Sequence, residues 1–237
     1  MRAFLLAGGR GERLRPLTIS TPKCLVAVNG VPLLHIWLDL LAHEGITHVF
    51  LNVSHHVEQV REFLAARRGS PRVELFVEPE PRGNAGTVSA HAEFVAGEES
   101  FWIFYADNLT NMPLAPMLET HRRHDGVLTL GLFRAPDPKA AGIVDMEPDG
   151  RIVAFVEKPE APRSDLANAG VYLARRELFD SFPLGAAVLD FGHDVFPRLV
   201  GRMYGHVIEA FLMDIGTPVS LERAAREWSQ IGQTKHT

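Results

Sequence analysis

Short apolar runs alternate with amphipathic segments through the first half of this 237-residue chain, and this alternation limits the folds open to it. The runs are typical of buried strands, and the segments between them have apolar residues at helical spacing. Predicted strands cover 3–7, 48–53, 73–78, 101–106 and 127–133, and predicted helices cover 32–44, 57–67, 87–95 and 113–124. This order predicts a parallel, doubly wound sheet, in which ligands bind beyond the carboxyl ends of the strands.

The second half of the chain is denser in short apolar runs, which indicates a mixed region added to the parallel sheet. Predicted strands cover 143–146, 151–156, 169–173 and 206–211, with Asp149-Gly150 as a hairpin turn between the first two. A last helix is predicted over 219–231. Because no repeat, low-complexity linker or sharp boundary divides the chain, we expect a single α/β domain over residues 1–237 with a Rossmann-like mixed sheet.

Charge, cysteine content and hydropathy exclude several kinds of partner. The net charge is −5, and the basic pair Arg67-Arg68 is interpreted as a solvated helix end, so no nucleic-acid surface is expected. The single cysteine, Cys24, excludes internal disulfides and a cysteine-based metal site. No segment approaches the roughly 20 apolar residues of a membrane span. We expect a cytoplasmic protein without nucleic-acid or membrane partners, and we leave a homodimer open.

The first predicted strand ends in a glycine-rich loop that is surrounded by cations. Gly8, Gly9 and Gly11 lie within four residues, which lets the backbone turn tightly and approach a ligand. Successive N–H groups in such a loop form an anion-binding concavity, and the nearby cations are Arg10, Arg13, Arg15 and Lys23. The order of residues fits neither the dinucleotide pattern G-x-G-x-x-G nor the Walker loop, which needs Gly-Lys-Ser/Thr. The loop therefore predicts a polyphosphate site of another kind.

The stretch from Gly8 to Lys23 resembles the signature of the sugar-1-phosphate nucleotidyltransferases, a family that includes mannose-1-phosphate guanylyltransferases and glucose-1-phosphate thymidylyltransferases. The pattern reads Gly-Gly-x-Gly-x-Arg-Leu-x-Pro-Leu-Thr, three spacers, then Pro-Lys, and every fixed position is matched. One departure is Glu12, where the family often has Ser or Thr. The resemblance implies the nucleotide-diphospho-sugar transferase fold, with a nucleotide-binding half over about residues 1–125 and a sugar-phosphate half over about 126–237.

The resemblance also implies roles for individual residues of this stretch. The loop would hold the triphosphate of a nucleotide, with the side chains of Arg13 and Lys23 on its phosphates. The implied nucleotide contacts here come from Leu6, Ala7, Gly8, Gly9, Gly11, Glu12, Arg13 and Lys23, and the implied catalytic residues are Arg13, Lys23 and Asp107.

Two acidic residues each follow an apolar run directly. Asp107 comes after 101–106, and Asp214 comes after 210–213. Two strand-end carboxylates that meet a triphosphate would form a Mg²⁺ site, because Mg²⁺ prefers oxygen ligands and phosphates. Each residue could instead have a local role, as a turn residue or a helix N-cap. The segments 105–108 and 213–217 resemble the family's two metal-binding segments, which implies that Asp107 and Asp214 together hold Mg²⁺.

Further segments resemble parts of the family's sugar and base pockets. On the sugar-phosphate side, the resemblance implies contacts from Gly142, Glu157, Lys158, Asn168 and Gly170, with Lys158 on the phosphate of the sugar phosphate. The loop over 78–87 resembles the base-recognition loop, which implies contacts from Glu78, Gly83 and Asn84. Asn84 stands where many relatives have Thr.

The residue at position 78 bears on the choice of base. A carboxylate only accepts hydrogen bonds, whereas guanine offers two adjacent donors that one carboxylate could take together. Uracil and thymine offer one donor flanked by acceptors, which would face a negative charge. Glu78 therefore favours GTP. The alternative is that Glu78 is simply an exposed acid at a strand end.

The reaction implied is transfer of a nucleoside monophosphate from an NTP, with GTP favoured, to a sugar 1-phosphate of mannose or heptose type, with release of pyrophosphate (EC 2.7.7). The alternative is a thymidylyl- or uridylyltransferase acting on glucose 1-phosphate or an aminosugar 1-phosphate. A glycosyltransferase would need an Asp-x-Asp motif, which does not occur in the sequence. A non-catalytic nucleotide-sugar-binding subunit would be expected to lack Arg13, Lys23 or the two aspartates.

Three other features contain residue types that could have a catalytic or metal-binding role. Asp190-Phe191-Gly192 matches a kinase triplet, but the other kinase motifs do not occur in the sequence. In the family that this chain resembles, a similar segment leads into a helix near the sugar site, so Asp190 is a minor candidate. His55-His56 and the pair His121 and His124 are interpreted as surface histidines rather than metal ligands, since no cysteine or carboxylate stands at ligand spacing.

Overall fold

The computed structural model describes residues 1–233 and is built around a nine-stranded mixed sheet. Its strands are β1 Arg2–Leu6, β4 His48–Val53, β5 Arg72–Val77, β6 Ser100–Tyr105, β8 Leu128–Arg134, β9 Gly142–Met146, β10 Ile152–Glu157, β11 Leu166–Arg175 and β12 Met203–Val207. Two small sheets pair β2 Ala27–Val28 with β3 Val31–Pro32, and β7 Asn108–Thr110 with β13 Leu212–Asp214. The main path is β10-β9-β11-β6-β1-β4-β5, and β8 pairs with both β11 and β12.

The first half of the chain forms the parallel part of the sheet. Strand β1 lies between β4 and β6, and β5 follows β4, with every pair parallel. Side chains of β1 alternate between two core layers: Ala3 and Leu5 pack into one layer, and Phe4 packs into the other. A strand that is buried on both faces has a continuous apolar sequence. The α/β, Rossmann-like mixed sheet predicted from the sequence is confirmed.

Helices cover both faces of this sheet. They are α1 Leu33–His43, α2 Val57–Ala66, α3 Gly83–Ala90, α4 Ala115–Arg122, α5 Phe196–Leu199 and α6 Pro218–Gln233. The predicted start of the third helix at residue 87 was wrong. It begins four residues earlier because the N–H groups of Ala85 and Gly86 donate to the Leu189 carbonyl, which satisfies two of the donors in the first turn of a glycine-rich segment. Within residues 1–233, no helix is both long and apolar enough to cross a membrane.

The second half of the chain extends the sheet with antiparallel strands and with β12, which pairs with β8 in parallel. The ten-residue strand β11 pairs with β8 along one side and with β9 and β6 on the other, so it joins the two halves. The hairpin predicted at Asp149-Gly150 connects β9 and β10. The strand predicted over 206–211 was wrong, because β12 ends at Val207 and the chain then leaves the main sheet. Its next strand, β13, pairs with β7 instead, a non-local pairing that the apolar pattern does not reveal.

Two side chains predicted at the surface are largely buried. His121 is 1% exposed, and its ring nitrogens lie 2.8 Å from Thr129 Oγ1 and 3.2 Å from Ser100 Oγ. The Arg67 side chain is 13% exposed and donates to Asp39 Oδ1 at 3.0 Å. Both surface interpretations were wrong, because these polar groups find partners on other elements that sequence spacing does not show.

We expect stability to fall as the pH drops below about 6.5, the ordinary pKa of histidine in an unfolded chain. Burial, reinforced by the nearby Arg175 guanidinium, lowers the pKa of His121 to about 3, and burial lowers the pKa of His124 to about 4. Between the folded and unfolded values the unfolded chain binds more protons, so acid favours unfolding. Between pH 7 and 5 the contribution of His121 is roughly 2 kcal/mol.

The measurement is thermal unfolding from pH 7 to 4.5, comparing wild type with His121→Gln. The control is His43→Gln, because the His43 side chain is 83% exposed. The His121→Gln protein should lose less stability on acidification than the other two. Parallel pH curves for all three proteins would contradict the prediction.

Candidate active site

The glycine-rich loop after β1 is fixed by hydrogen bonds with two residues, Asn52 in β4 and Ser54 directly after it. The Ala7 N–H donates to Asn52 Oδ1 at 2.8 Å, and Ser54 Oγ donates to the Gly8 carbonyl at 2.6 Å. A Cβ atom on Gly8 would lie 2.6 Å from Asn52 Nδ2, so the backbone can lie this close only with glycine there. A Cβ atom on Gly9 would meet nothing within 4 Å. The loop is thus fixed on its inner side and open to a ligand at Gly9.

The short pairing of β7 with β13 brings together the two acidic residues predicted to hold a metal. In this pair Asp214 is opposite Asn108, and the Ile215 N–H donates to the Asp107 carbonyl at 3.0 Å. The N-cap alternative for Asp214 is excluded, since Thr217 Oγ1 accepts from the Ser220 N–H in the first turn of α6. Asp107 and Asp214 therefore both lie at the carboxyl edge of the sheet, where the sequence predicts a site.

The predicted phosphate-binding cations contact these carboxylates. Lys23 Nζ lies 2.8 Å from Asp107 Oδ2 and 3.6 Å from Asp214 Oδ1. Arg13 Nη2 lies 3.7 Å from Asp214 Oδ2, and the Arg13 side chain is 72% exposed. Partial removal from water and the neighbouring Asp107 carboxylate raise the pKa of Asp214, against the opposing effect of Lys23 and Arg13. The single positive charge of the Lys23 ammonium is therefore shared between the two carboxylates.

This pair of carboxylates suits a cation that takes its remaining ligands from elsewhere. Within residues 1–233, no group of three or more His, Cys, Asp or Glu side chains is arranged to hold a metal ion. Mg²⁺ is commonly bound by one or two carboxylates together with substrate phosphates and water. Asp107 and Asp214 match that donor set, with the phosphates supplied by a ligand on the glycine-rich loop.

A cavity of about 310 Å³ opens beside the loop and contains most of the predicted base-side residues. Its walls include Leu6, Gly8, Gly9, Glu78, Gly83, Asn84 and Asp107. Glu78 is 5% exposed, and its Oε2 accepts from Asn52 Nδ2 at 3.0 Å. Its Oε1 is buried and has no hydrogen-bond partner among the described residues. The alternative of an exposed strand-end acid is therefore excluded.

The predicted sugar-side acid packs against two glycines. A Cβ atom on Gly142 would lie 2.6 Å from Glu157 Oε2, and one on Gly192 would lie 2.8 Å from the same oxygen. Partial burial raises the pKa of Glu157, against the opposing effect of Lys158. The Lys158 side chain is 66% exposed, with Nζ 4.0 Å from Glu157 Oε1. Its backbone has φ 47°, a strained value for a residue other than glycine.

A chain of contacts connects the sugar side with the 310 Å³ cavity. Asn168 Oδ1 accepts from the Gly170 N–H at 3.0 Å, and Asn168 Nδ2 donates to the Tyr172 hydroxyl at 3.0 Å. The Tyr172 ring also packs edge-on against the ring of Tyr105, which lines the cavity, with the ring centroids 5.6 Å apart. Gly170 has φ 66°, and a Cβ atom there would lie 2.9 Å from the Tyr105 ring. The two predicted regions thus share one wall.

Sequence reasoning missed Asn52, Ser54 and Tyr105. Asn52 did carry a signal, because it is a polar residue inside the otherwise apolar run of β4. Ser54 and Tyr105 carry no comparable signal, since their roles depend on contacts with other segments. Glu12 is exposed and forms no ion pair with any described residue. Burial raises the pKa of the Cys24 thiol to about 12, which makes it a poor nucleophile.

Comparison with known proteins shows which proteins this chain is similar to. The family model described as nucleotidyl transferase matches residues 2–231. A mannose-1-phosphate guanylyltransferase of Mycobacterium tuberculosis is 35% identical over 230 residues, covering 95% of this chain and 64% of that protein. Mannose-1-phosphate guanyltransferase beta-A of Xenopus laevis is 31% identical over 242 residues, covering 100% of this chain and 67% of that protein. The chain thus spans about two thirds of the length of these two relatives.

Solved structures share the fold over nearly the whole chain. A Bacillus anthracis protein assigned as a glucose-1-phosphate thymidylyltransferase, solved with sucrose, is 26% identical with a TM-score of 0.84, covering 95% of this chain and 94% of that one. HddC from Yersinia pseudotuberculosis, complexed with GMP-PN, is 22% identical with a TM-score of 0.80, covering 96% of this chain and 99% of that one. At this lower identity the likeness concerns the fold alone.

Proposed function

The chain belongs to the nucleotidyl transferase family, and on that premise we propose that it transfers a nucleoside monophosphate from GTP to a sugar 1-phosphate of mannose or heptose type and releases pyrophosphate. The observation that carries this proposal is the contact of one ammonium, Lys23 Nζ, with both strand-end carboxylates beside an open glycine-rich loop. The mannose-1-phosphate guanylyltransferases among its relatives support the choice of substrates. We assign the nucleotide to about residues 1–125 and the sugar phosphate to about 126–237.

In this reaction an oxygen of the sugar phosphate attacks the α-phosphorus of the NTP, and the bond to the pyrophosphate oxygen breaks. The attacking phosphate is already ionised, so neither a general base nor a covalent intermediate is needed. Arg13 and Lys23 bind the triphosphate and Lys158 binds the sugar phosphate, which together align the reacting groups. Catalysis is then alignment together with neutralisation of phosphate charge. Mg²⁺ held by Asp107 and Asp214 would supply further positive charge to the phosphates and the leaving pyrophosphate.

The buried carboxylate in the cavity supports the choice of base. Glu78 Oε1 has no partner among the described residues, although a buried acceptor without a hydrogen bond costs free energy. The adjacent N1–H and N2 amino group of guanine are donors that a carboxylate can take. Thymine and uracil would bring acceptor oxygens toward the same charge. The proposed role of Glu78 is to bind guanine.

We expect wild type to prefer GTP in competition with UTP, dTTP, ATP and CTP at equal concentration, and we expect Glu78→Gln to reduce that preference. The amide presents one donor and one acceptor, which suits a pyrimidine edge better than the two donors of guanine. The measurement is pyrophosphate release over a panel of sugar 1-phosphates that includes mannose, glucose, heptose and aminosugar forms.

The matched control is Glu80→Gln, because Glu80 is exposed on the same loop. Its selectivity should equal that of wild type. A wild type that prefers dTTP or UTP would favour the thymidylyl- or uridylyltransferase alternative. A Glu78→Gln protein with unchanged selectivity would remove Glu78 from base recognition.

A further inference from the structure

Two segments that are far apart in sequence are joined by hydrogen bonds, one from the region assigned to the nucleotide base and one from the region assigned to the sugar phosphate. The base-side segment is 82–86, at the start of α3, and the sugar-side segment is 189–195, which leads into α5. The Leu189 N–H donates to the Arg82 carbonyl at 2.9 Å, and the Leu189 carbonyl accepts from two N–H groups of α3. A Cβ atom on Gly83 would overlap the Leu189 carbonyl oxygen. Two of the N–H groups in the first turn of α3 are therefore already occupied by protein.

Asn84 and Asp190 complete this junction with their side chains. Asn84 Nδ2 donates to Asp190 Oδ2 at 2.6 Å, and Asn84 Oδ1 accepts from the Phe191 N–H at 2.7 Å. Both polar atoms of the Asn84 amide are therefore engaged by the sugar-side segment. Sequence reasoning implied a nucleotide contact for Asn84, whereas its polar contacts in the structure are with residues 190 and 191.

The Asp190 carboxylate also holds the backbone of the sugar-side segment. Asp190 Oδ1 accepts from the N–H groups of Gly192 at 2.8 Å and His193 at 3.1 Å, which fixes the backbone at Gly192. The ideal Cβ position on Gly192 lies 2.8 Å from Glu157 Oε2, so the backbone there limits the space available to the Glu157 carboxylate. A continuous series of contacts thus connects Asn84 with Glu157 by way of Asp190 and Gly192.

We propose that Asn84 is a positioning residue for the sugar phosphate: through Asp190 it fixes the backbone against which Glu157 packs. This inference rests on the proposed function, because it concerns the second substrate of that reaction. It assigns to a residue of the base-side loop an effect on sugar-phosphate binding rather than on the nucleotide. Breaking the Asn84–Asp190 contact should therefore weaken the binding of the sugar phosphate and not the binding of the nucleotide.

The test exchanges the two side chains. In Asn84→Asp, the Phe191 N–H keeps its acceptor, but a carboxylate oxygen now faces Asp190 Oδ2. In Asp190→Asn, either orientation of the new amide places a donor against a donor, on Asn84 or on the N–H groups of Gly192 and His193. The double variant Asn84→Asp/Asp190→Asn restores every donor–acceptor pair, with the direction reversed only in the side-chain contact between positions 84 and 190. The N–H groups of residues 191, 192 and 193 still donate to these side chains.

We expect each single variant to raise the KM for sugar 1-phosphate by about 10-fold or more, the effect of losing a hydrogen bond to a charged group. The KM for GTP should change by less than about 2-fold, and the double variant should recover both the wild-type KM values and the wild-type midpoint of thermal unfolding. The matched control is Asn29→Asp, which removes a similar donor to Ala225 and Ser229 on α6. It should leave both KM values unchanged.

Three results would overturn the proposal. Unchanged KM values in the single variants, with the unfolding midpoint lowered and then restored in the double variant, would make the contact purely structural. A rise in the KM for GTP equal to the rise in the KM for sugar 1-phosphate would show that Asn84 acts on nucleotide binding as well. A double variant that recovers nothing would show that the two side chains do not act as a pair. Failure of the proposed function is distinguishable, because wild type itself would then release no pyrophosphate with GTP and a sugar 1-phosphate of mannose or heptose type.

Discussion

Asp107→Asn and Asp214→Asn are each expected to lower kcat by at least about 100-fold, the effect of losing one preorganised electrostatic group. The two carboxylates meet only through the pairing of β7 with β13, and Lys23 contacts both. Removing either negative charge leaves one carboxylate to hold a cation among phosphates. We therefore expect turnover to require Mg²⁺ or Mn²⁺, with each variant needing a higher metal concentration.

The measurement is pyrophosphate release against metal concentration, with EDTA as the zero point. The control is Asp165→Asn, because Asp165 forms a comparable ion pair with Arg134 at 2.8 Å in an exposed position. That variant should retain wild-type turnover, since exposed ion pairs contribute little to stability. Full activity in EDTA, or near-wild-type turnover by the Asp107→Asn/Asp214→Asn double variant, would refute a metal role for this pair.

Lys158→Ala and Lys23→Ala are expected to weaken the binding of different substrates. The Lys158 side chain is 66% exposed, and its nearest carboxylate oxygen is 4.0 Å away, so its charge is free to bind the phosphate of the sugar phosphate. Lys158→Ala should weaken sugar-phosphate binding by at least about 10-fold, the effect of one charge-assisted contact, and leave GTP binding near normal. Its positive φ makes Lys158 a strained position that a functional role would explain.

Lys23→Ala should instead weaken GTP binding by at least about 10-fold, since Lys23 is assigned to the triphosphate. Its side chain is 11% exposed, and its removal leaves Asp107 and Asp214 without their shared cation. Calorimetry with each substrate separately measures both effects, and Lys139→Ala is the control because Lys139 forms no ion pair among the described residues. Equal losses of GTP affinity in Lys158→Ala and Lys23→Ala would show that the two phosphate sites are not separate.

Local sequence determined the parallel sheet and the position of the glycine-rich loop. The apolar runs that become β1, β4 and β6 are buried on both faces, so their strand character is visible in composition alone. The spacing from Gly8 to Lys23 predicted a phosphate-binding segment, and the strand-end positions of Asp107 and Asp214 placed both residues at one edge of the sheet. Each of these features depends on residues close together in the chain.

Tertiary structure decided the features that depend on non-local partners. Glu78 looked as much like an exposed acid as a base-binding one, until Asn52 on the neighbouring strand provided a buried contact for it. The meeting of Asp107 with Asp214 follows from a strand pair whose members are about a hundred residues apart. Asn84 bonds a residue 106 positions away. Hydropathy and spacing report which groups are buried or adjacent along one element, whereas hydrogen-bond partners across elements depend on how those elements pack.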